Sequence, residues 1–464
     1  MSRAATAFLY ATVFIEGYVV LAVELLAIRL LLPFVGSGTE IVAIVVGGVL
    51  LPLAAGYHVG GTRARRMPIR RLLLRNMLLA LGILVFGLSD LFLEALFGQF
   101  ESWSLPRLWQ TTCYVALFLT VPVFLLAQTV PLVSHFFRGS ALSHHTGRML
   151  FLSTAGSFFG SIFSTLWLMN WIGVHATSIV TLALLTLLGL ALCCRHHWRS
   201  AVLALTLLAL AVALNHPDTV RSRAIFSANS YNTVRVVDAP GEPQNRLLQV
   251  NRSNSSKYAE RVDERFAYVA YIERYFIAAL SESPTPRRIL VLGAGGFTMG
   301  QDDTRNQYVY VDIDPALKTV AEKYFLKKPL RDNQQFVPLS ARAFLRQDTG
   351  LYDLIVIDTY SHVYSLPAET TTVEFLEAAR RRLTPDGVLV VNLVANARFA
   401  DRFSRRYDNT FAHVFPHYTR QVIGPYNPWE TTPGLSNLLY IYYAGPAANK
   451  HYTDDWNPFS LDRP

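Results

Sequence analysis

The first 215 residues are dominated by apolar blocks long enough to cross a lipid bilayer. About 20 consecutive apolar residues span the hydrocarbon core, and the blocks reach that length repeatedly. We predict spans at 5–32, 40–60, 72–97, 110–136, 149–171 and 176–194, with a shorter seventh at 200–214. The chain therefore begins with a helical membrane domain, which we assign to residues 1–215.

Charge divides the chain at the same place. The whole chain carries 42 Lys and Arg against 33 Asp and Glu, and the first 215 residues hold only 13 of the basic and 6 of the acidic residues. The small positive excess of the remaining residues argues against a nucleic-acid-binding surface. The pairs His144–His145 and His196–His197 are adjacent rather than spaced as ligands, so we expect no metal site.

Arginine-rich loops indicate the orientation of the spans. The stretch TRARRMPIRR follows the second span, and the loops holding Arg138 with Arg148 and Arg195 with Arg199 fall on the same side. This distribution is typical of cytoplasmic loops in an inner-membrane protein. Six crossings leave the polar part in the cytoplasm, and seven place it outside. The last block covers only about 22 Å of a core of about 30 Å, so the number stays open.

Three charged residues lie within the first predicted span. Glu16 and Glu24 are candidate functional groups, because ionisable side chains are costly at that depth. For Glu24 we weigh a substrate or ion site against a structural bond to a neighbouring helix. We expect Arg29, near the helix end, to extend its charge to the interface. The stretch STAGSFFGS supplies small residues for close helix packing.

From residue 216 onward, short alternating blocks replace the long apolar ones. NTVRVVDA and NRLLQVN predict a small antiparallel β lid within residues 216–262. The strand-like blocks RRILVLG, YVYVDID, QQFVPLS, YDLIVIDT and GVLVVNLV then alternate with helical patterns near 262–280, 315–326 and 370–383. This alternation predicts a doubly wound, mostly parallel sheet in a third region, 263–464.

Ligands of such sheets bind at the carboxyl ends of the strands, where three features fall. Gly293, Gly295 and Gly296 permit close approach of the backbone to a ligand. Asp312 ends the next strand, where an acid can accept hydrogen bonds from both ribose hydroxyls. Asp358 ends the fourth strand of the series. Together they predict an adenosine-bearing ligand.

Residues from about 222 to 447 resemble the spermidine synthase family of aminopropyltransferases, whose fold resembles methyltransferases that bind S-adenosylmethionine. SYNTVRV resembles the lid strand and implies that Asn232 contacts the cofactor. YIERYF resembles the Tyr-x-Glu motif, which implies that Tyr271 handles protons and orients the nucleophile and that Glu273 binds the amine. VDID implies that Asp312 holds the ribose. Bacterial members with fused membrane spans extend the resemblance to the whole architecture, a helical membrane domain plus a methyltransferase-like α/β domain with a β lid.

The segment YDLIVIDTYSHVYSLPAETTTVEFL resembles the strand, gate loop and Pro-Ala-Glu helix start of the family. The resemblance implies that Asp358 is the catalytic base and that Ser361 and Glu369 bind substrate. In LSARAFL, Ser340 replaces the acid that reads adenine, beside Ala341. NPWETTPGLSNLLY resembles the segment that closes the amine pocket.

Two departures weaken the match. Ser361 or His362 stands where the family carries a second acid, which leaves few carboxylates for a polyamine. Gly296 stands where an acid of the glycine loop pairs with the ammonium of decarboxylated S-adenosylmethionine. Its loss removes repulsion toward a donor carboxylate, and free backbone N–H groups near a helix start would tolerate that anion. We therefore expect either decarboxylated S-adenosylmethionine or S-adenosylmethionine to bind.

The resemblance implies a membrane-bound transferase that aminopropylates an amine, with its α/β domain expected in the cytoplasm. One alternative is methyl transfer from S-adenosylmethionine to a membrane-associated acceptor. Another is a non-catalytic polyamine or nucleoside sensor, or a transporter-like protein. The expected partners are a small amine or lipid-associated acceptor and membrane lipids, and a homodimer stays open.

Overall fold

The computed structural model describes residues 2–36, 38–63, 68–137, 142–193, 198–360, 366–425 and 434–445. The chain forms two compact units, Met1–Thr233 and Val234–Pro464. The division falls at the first residue of a strand, so residues 216–233 belong to the helical unit. The predicted boundary at 215 lies within the first unit, and the predicted boundary at 262 lies within the second. Each marks a change of sequence pattern rather than a division between units.

The first unit is helical. Its helices α1 to α12 span Arg3–Val35, Thr39–Arg63, Ile69–Gly87, Asp90–Ser102, Arg107–Tyr114, Val121–Ala127, Thr129–Ser134, Leu142–Ile162, Met169–Trp171, Gly173–Leu192, Trp198–Asn215 and Pro217–Arg221, and a short strand β1 follows at Ile225–Ala228. Wide π turns at Val115–Thr120 and Phe163–Leu168 join α5 to α6 and α8 to α9. Among the described residues, six helical stretches are long and apolar enough to cross a membrane, and a seventh arises if α3 and α4 count as one span.

The predicted span at 72–97 is interrupted by a bend. Helix α3 ends at Gly87, and α4 starts at Asp90 after a bend of 69°. Ser89 caps the new helix, since its hydroxyl accepts a hydrogen bond from the Phe92 amide at 3.5 Å. Asp90 adds a favourable negative charge to the first turn. The N-cap residue followed by an acid is the sequence signal that marks this break.

Close packing of α1 against α8 confirms the role predicted for STAGSFFGS. A Cβ atom on Gly156 would lie 2.0 Å from the Phe14 carbonyl oxygen, and one on Gly160 would lie 2.2 Å from that of Tyr18. On the facing helix, a Cβ on Gly17 would lie 2.2 Å from the Ser153 carbonyl oxygen. The two backbones can approach this closely only because neither carries a side chain at the crossing.

Arg29 near the end of α1 is held by protein groups. Its side chain is buried in the helical unit, with 5% of its surface exposed. The guanidinium Nε donates to the Asn229 carbonyl at 2.5 Å, and Nη2 donates to the Thr233 hydroxyl at 3.2 Å. The residue therefore joins the first helix to the last segment of the same unit.

The second unit contains the sheets. Strands β2 to β11 span Thr233–Ala239, Glu242–Val250, Ser253–Tyr258, Arg288–Leu292, Gln307–Asp312, Gln334–Pro338, Tyr352–Ile357, Leu383–Asn396, Tyr418–Pro425 and Leu435–Tyr443. Helices α13 to α18 span Ala267–Ile272, Ala278–Ser281, Ala316–Val320, Ala341–Gln347, Val373–Arg380 and Arg402–Val414. Strands β2, β3 and β4 pair antiparallel, as predicted for the lid strands.

The large sheet has the strand order β10-β11-β9-β8-β5-β6-β7. Strands β5 to β9 are the five predicted strands, and they pair in parallel. Strand β11 joins β9 antiparallel, and β10 forms the edge. This arrangement confirms the methyltransferase-like, doubly wound fold. The direction of winding reverses between β5 and β8, which is where such sheets open a crevice for ligands.

The connection from β5 to β6 lacks the helix that usually links parallel strands. Residues 293–306 form only turns. Their side chains fill the helix position instead, with the buried Phe297 ring packed edge-on against Tyr310 at 5.2 Å and Phe336 at 5.3 Å. The Tyr310 hydroxyl donates to the Met299 carbonyl at 2.6 Å. The loop is therefore held on the sheet by aromatic packing and hydrogen bonds from strand side chains.

Candidate active site

The reversal point of the sheet brings the glycine loop against the end of β8. Gly293 follows β5 with φ of +97°, a conformation that favours glycine. A Cβ atom at this position would lie 2.1 Å from the Asp358 carbonyl oxygen. The Asp358 amide in turn donates to the Leu292 carbonyl at 2.8 Å. The glycine thus allows the ends of the two central strands to touch.

The Asp358 carboxylate is held by two side chains from different elements. Tyr268 on α13 donates its hydroxyl to Oδ2 at 2.7 Å, and the Asn392 amide on β9 donates to Oδ1 at 2.9 Å. Burial raises the pKa of Asp358, while the two hydrogen bonds act in the opposite direction. A fixed carboxylate with a raised pKa is well matched to taking a proton near neutral pH.

Asn392 contributes a further polar atom beside Asp358. Its side chain is buried, and its Oδ1 atom accepts no hydrogen bond from the described residues. A buried acceptor without a donor is costly, so a ligand N–H at this point would be stabilised. Neither Asn392 nor Tyr268 was a sequence-predicted site residue.

Tyr271 lies one helical turn beyond Tyr268. Its ring contacts Tyr275 at 4.5 Å and Phe276 at 6.3 Å between centroids. Burial raises its pKa, and the neighbouring Tyr275 adds to the effect. The structure thus gives Tyr271 an aromatic environment, and the hydroxyl on Asp358 comes from Tyr268.

Asp312 lies on the other side of β5 and contacts the glycine loop. Its Oδ2 atom accepts from the Ala294 amide and its Oδ1 atom from the Asp314 amide, both at 3.2 Å. Burial raises its pKa to about 6. Strands β6 and β8 flank β5, so their axes are about 10 Å apart. The two carboxylates therefore end the two strands that flank β5.

Gly295 and Gly296 contact the lid strand β4. The Gly296 amide donates to the Ser256 hydroxyl at 2.8 Å, so the expectation of a free N–H at this position is wrong. No helix starts at this loop either, because residues 293–306 form turns. A Cβ atom on Gly296 would lie 2.3 Å from the Phe325 ring and 3.0 Å from Ser256 Cβ. An acidic side chain would not fit here without rearrangement.

Glu273 is engaged by a buried arginine. Both carboxylate oxygens contact Arg265 Nη1, at 2.6 and 2.7 Å, and Oε1 also accepts from the Gly300 amide at 2.9 Å. Asp302 contacts the other end of the Arg265 guanidinium. This network balances the charge of Glu273 and fixes the glycine loop to the helical turn that follows α13. Its predicted amine-binding role would require a substrate to compete with an internal ion pair.

The remaining predicted residues lie on other elements. The Ser340 hydroxyl accepts from the Ala343 amide at 3.3 Å and caps α16, which begins at Ala341. Glu369 is exposed, in a short helical turn at Ala368–Thr370. Asn232 belongs to the helical unit, where its amide donates to Asn229 Oδ1 at 2.9 Å.

Two other predictions remain. Glu24 is buried in α1 of the helical unit. Ser361, His362 and residues 426–433 of the predicted amine-pocket segment lie outside the described residues. Within the described part of the chain, no group of three or more His, Cys, Asp or Glu residues is arranged to hold a metal ion.

Comparison with known proteins returns aminopropyltransferases. The chain is 29% identical to a polyamine aminopropyltransferase of Vibrio vulnificus over 35% of its own length, but it spans only 56% of that relative. It is 26% identical to a polyamine aminopropyltransferase of Pyrobaculum calidifontis over 47% of its length and 75% of the relative.

A solved structure, a probable spermidine synthase from Corynebacterium glutamicum, matches with a TM-score of 0.40 and 19% identity, over 50% of this chain and 82% of that one. No protein-family model matches the chain. The chain is therefore similar in sequence to polyamine aminopropyltransferases, in agreement with the motifs at Asp312 and Asp358.

Proposed function

We propose that the chain is a membrane-bound transferase that moves an aminopropyl group from a sulfonium nucleoside to an amine. The observation that carries the proposal is the Asp358 carboxylate, held by Tyr268 and Asn392 at the reversal point of the sheet. The curated relatives named polyamine aminopropyltransferases support the reaction type. Six long apolar helical stretches support membrane insertion.

The chemistry requires a base beside the attacking nitrogen. The amine nitrogen forms a bond to the carbon next to the sulfonium, the carbon–sulfur bond breaks, and the sulfur leaves as a neutral thioether. The new ammonium then loses a proton, which Asp358 accepts. The Asn392 Oδ1 atom offers an acceptor for a second N–H of the amine, which would orient its lone pair.

The donor is held through its nucleoside in this proposal. Asp312 accepts bonds from the ribose hydroxyls while its existing bonds to the Ala294 and Asp314 amides keep it in place. The surroundings of Gly296 leave no room for an acid that would select the decarboxylated donor. We therefore keep both decarboxylated S-adenosylmethionine and S-adenosylmethionine as donors. S-adenosylmethionine is kept as a donor only because no acid at position 296 repels its carboxylate. Neither a helix start nor a free Gly296 N–H attracts that carboxylate.

The acceptor in this proposal is a small amine. The charge of Glu273 is balanced by Arg265, and Glu369 is exposed, so few carboxylates face an amine with several positive charges. We infer that one amino group is recognised at Asp358 and that the rest of the acceptor contributes little charge recognition. The same scarcity favours methyl transfer to a membrane-associated acceptor as the second candidate.

Product analysis tests the proposal. Purified full-length protein in detergent is incubated with each donor and 1,4-diaminobutane, and the nucleoside product is identified by mass spectrometry. Aminopropyl transfer yields methylthioadenosine, and methyl transfer yields S-adenosylhomocysteine. The formation of neither product would contradict aminopropyl transfer to this amine.

Asp358→Asn is the matching variant, with Asp332→Asn as the control because Asp332 is an exposed acid of the same unit. We expect Asp358→Asn to lower product formation by about 100-fold or more, since general-base catalysis contributes about 10²–10⁴-fold. The control should keep the parent rate. Equal rates for the two variants would remove Asp358 from the mechanism.

A further inference from the structure

Apart from Glu16, Glu24 and Arg29 in α1, the charges of the helical unit fall into two groups of loops. The segments 1–3, 62–75, 135–148 and 193–199, here called the arginine side, contain eleven arginines and no Asp, Glu or Lys. The segments 36–40, 88–107, 170–174 and 215–223, here called the acidic side, contain five acidic residues and three arginines. The contacts of the unit show whether each group shares one end of the bundle.

The arginine-side segments are joined to one another. Arg70 at the start of α3 donates to the Leu192 carbonyl at the end of α10 at 2.7 Å. Tyr10 near the start of α1 contacts His145 at 2.5 Å, and its ring stacks on Phe137 at 5.7 Å. At the end of α2, a Cβ atom on Gly60 would lie 2.6 Å from Pro131, close to residue 135. These contacts place the described residues of the four segments at one end of the bundle.

The acidic-side segments are joined in the same way at the other end. The Phe34 ring at the end of α1 stacks on Phe97 of α4 at 4.7 Å. The Tyr114 hydroxyl of α5 donates to the Gly87 carbonyl at the end of α3 at 2.9 Å. His175 at the start of α10 contacts Asn215 at the end of α11 at 3.2 Å.

The chain leaves the helical unit at this same end. Arg223, beyond α12, pairs with Asp90 at the start of α4 at 3.0 Å. Ser230 contacts Asn170 at the end of α9 at 2.5 Å, and Arg29 holds the Asn229 carbonyl. The last segment before Val234 is therefore bound to three elements on the acidic side.

Following the chain between these ends gives an odd number of crossings. The path goes from the arginine side through α1, back through α2, out through α3, back through α5 to α7, out through α8 and α9, back through α10 and out through α11. Helix α11 begins at Trp198 and spans about 27 Å before α12 continues it, so it is longer than the apolar block alone indicated. Seven crossings result.

We propose that the α/β unit lies outside the cytoplasm. Loops rich in arginine stay on the cytoplasmic side of a membrane, so the arginine side faces inward. The chain ends its seventh crossing on the opposite side, and Val234 begins the second unit directly after the segment bound there. Exposed tryptophans at positions 103, 109 and 171 mark the acidic side as the second interface, as expected for an aromatic belt.

This placement constrains the substrates. A sulfonium nucleoside carries a fixed positive charge and does not diffuse through a bilayer, so the donor must be present or delivered outside the cytoplasm. The expectation of a cytoplasmic α/β domain is replaced by this proposal. It rests on membrane insertion and not on the reaction, so its test needs no activity.

Cysteine labelling of intact cells tests the placement. Cys113, Cys193 and Cys194 are first replaced by serine in the full chain, and one exposed residue at a time is changed to cysteine. Thr62→Cys reports the arginine side, Glu101→Cys the acidic side and Gln347→Cys the α/β unit. A membrane-impermeant maleimide is added before or after the cells are permeabilised, and a cytoplasmic thiol protein monitors leakage.

We expect Glu101→Cys and Gln347→Cys to be labelled in intact cells, and Thr62→Cys only after permeabilisation. Labelling of Gln347→Cys only after permeabilisation would overturn the proposal. The proposal would also be overturned if Thr62→Cys and Glu101→Cys were both labelled in intact cells, or both only after permeabilisation. The two ends of the bundle would then lie on one side of the membrane. Recovery of the protein in the soluble fraction would reject membrane insertion itself. A C-terminal alkaline phosphatase fusion, active only outside the cytoplasm, provides a second measurement that does not depend on any cysteine variant folding.

Discussion

Removal of the Tyr268 hydroxyl tests how Asp358 is held. Tyr268→Phe deletes one of the two hydrogen bonds to the carboxylate, at 2.7 Å, and leaves the ring in place. A hydrogen bond to a charged group contributes about 1.5–3 kcal/mol, so its loss makes ionisation of Asp358 harder by that amount. In the pH range where the base is already partly protonated, the rate should fall by about 10- to 100-fold.

The assay is methylthioadenosine formation between pH 5.5 and 9.5. Burial raises the pKa of Asp358, and loss of the hydroxyl raises it further, so the acid limb of the pH–rate profile should move to higher pH. The rate should recover as the pH rises. Tyr271→Phe is the matched control, because Tyr271 packs against Tyr275 and is not the hydroxyl donor to Asp358. An unmoved acid limb for Tyr268→Phe, or a shift in Tyr271→Phe instead, would refute the reasoning.

Three other predictions concern the glycine loop and its contacts. Gly293→Ala should lower the thermal unfolding temperature markedly, because its Cβ would overlap the Asp358 carbonyl oxygen; an unchanged transition would contradict the described contact. Methylthioadenosine affinity, measured by calorimetry, should weaken by up to about 10-fold per pH unit below pH 6. The reason is that protonation of Asp312, whose pKa burial raises to about 6, removes an acceptor for the ribose, and Asp312→Asn should abolish this dependence. Glu273→Gln should destabilise the unit by about 3–5 kcal/mol in denaturant unfolding, since it leaves the buried Arg265 guanidinium without its main counter-charge. A stable Glu273→Gln protein with only a raised KM for the amine would instead support a substrate-binding role.

The five central strands and their parallel arrangement can be predicted from the sequence because their signals are local. Each of β5 to β9 is a short apolar run bounded by turn residues, and alternation with helices leaves few topologies. The glycine run and Asp312 fall at strand ends, so their neighbourhood is predictable as well. Once the parallel sheet is predicted, the glycine run and Asp312 are predicted to lie close together.

The identity of the tyrosine on Asp358 depends on more than local pattern. Tyr268 and Tyr271 are three residues apart, so they lie on the same face of one helix and sequence spacing alone does not separate them. The choice is set by how far α13 is shifted along β8, which is a tertiary property. The sequence does not indicate Asn392 as a site residue, because a lone Asn in a buried strand forms no motif.

The missing helix after β5 has a similar cause. The glycine run is a strong signal for a strand-to-helix turn, but the following residues, FTMGQDDTRN, contain no helical periodicity. The helix start expected after the glycine loop comes from the resemblance to the spermidine synthase family, not from the local sequence. The packing of Phe297 against Tyr310 and Phe336 shows what replaces the helix, and it could be found only once the sheet was built.

The Arg29 contacts have a consequence for biosynthesis. If the helices insert as we propose, the guanidinium enters the bilayer with the first helix to be made, while its acceptors at Asn229 and Thr233 are synthesised two hundred residues later. Until the last crossing is inserted, that positive charge must be sheltered by water, lipid headgroups or the insertion machinery. A chain truncated before Asn229 would keep this burden permanently, so quality control should recognise incomplete chains by their first helix.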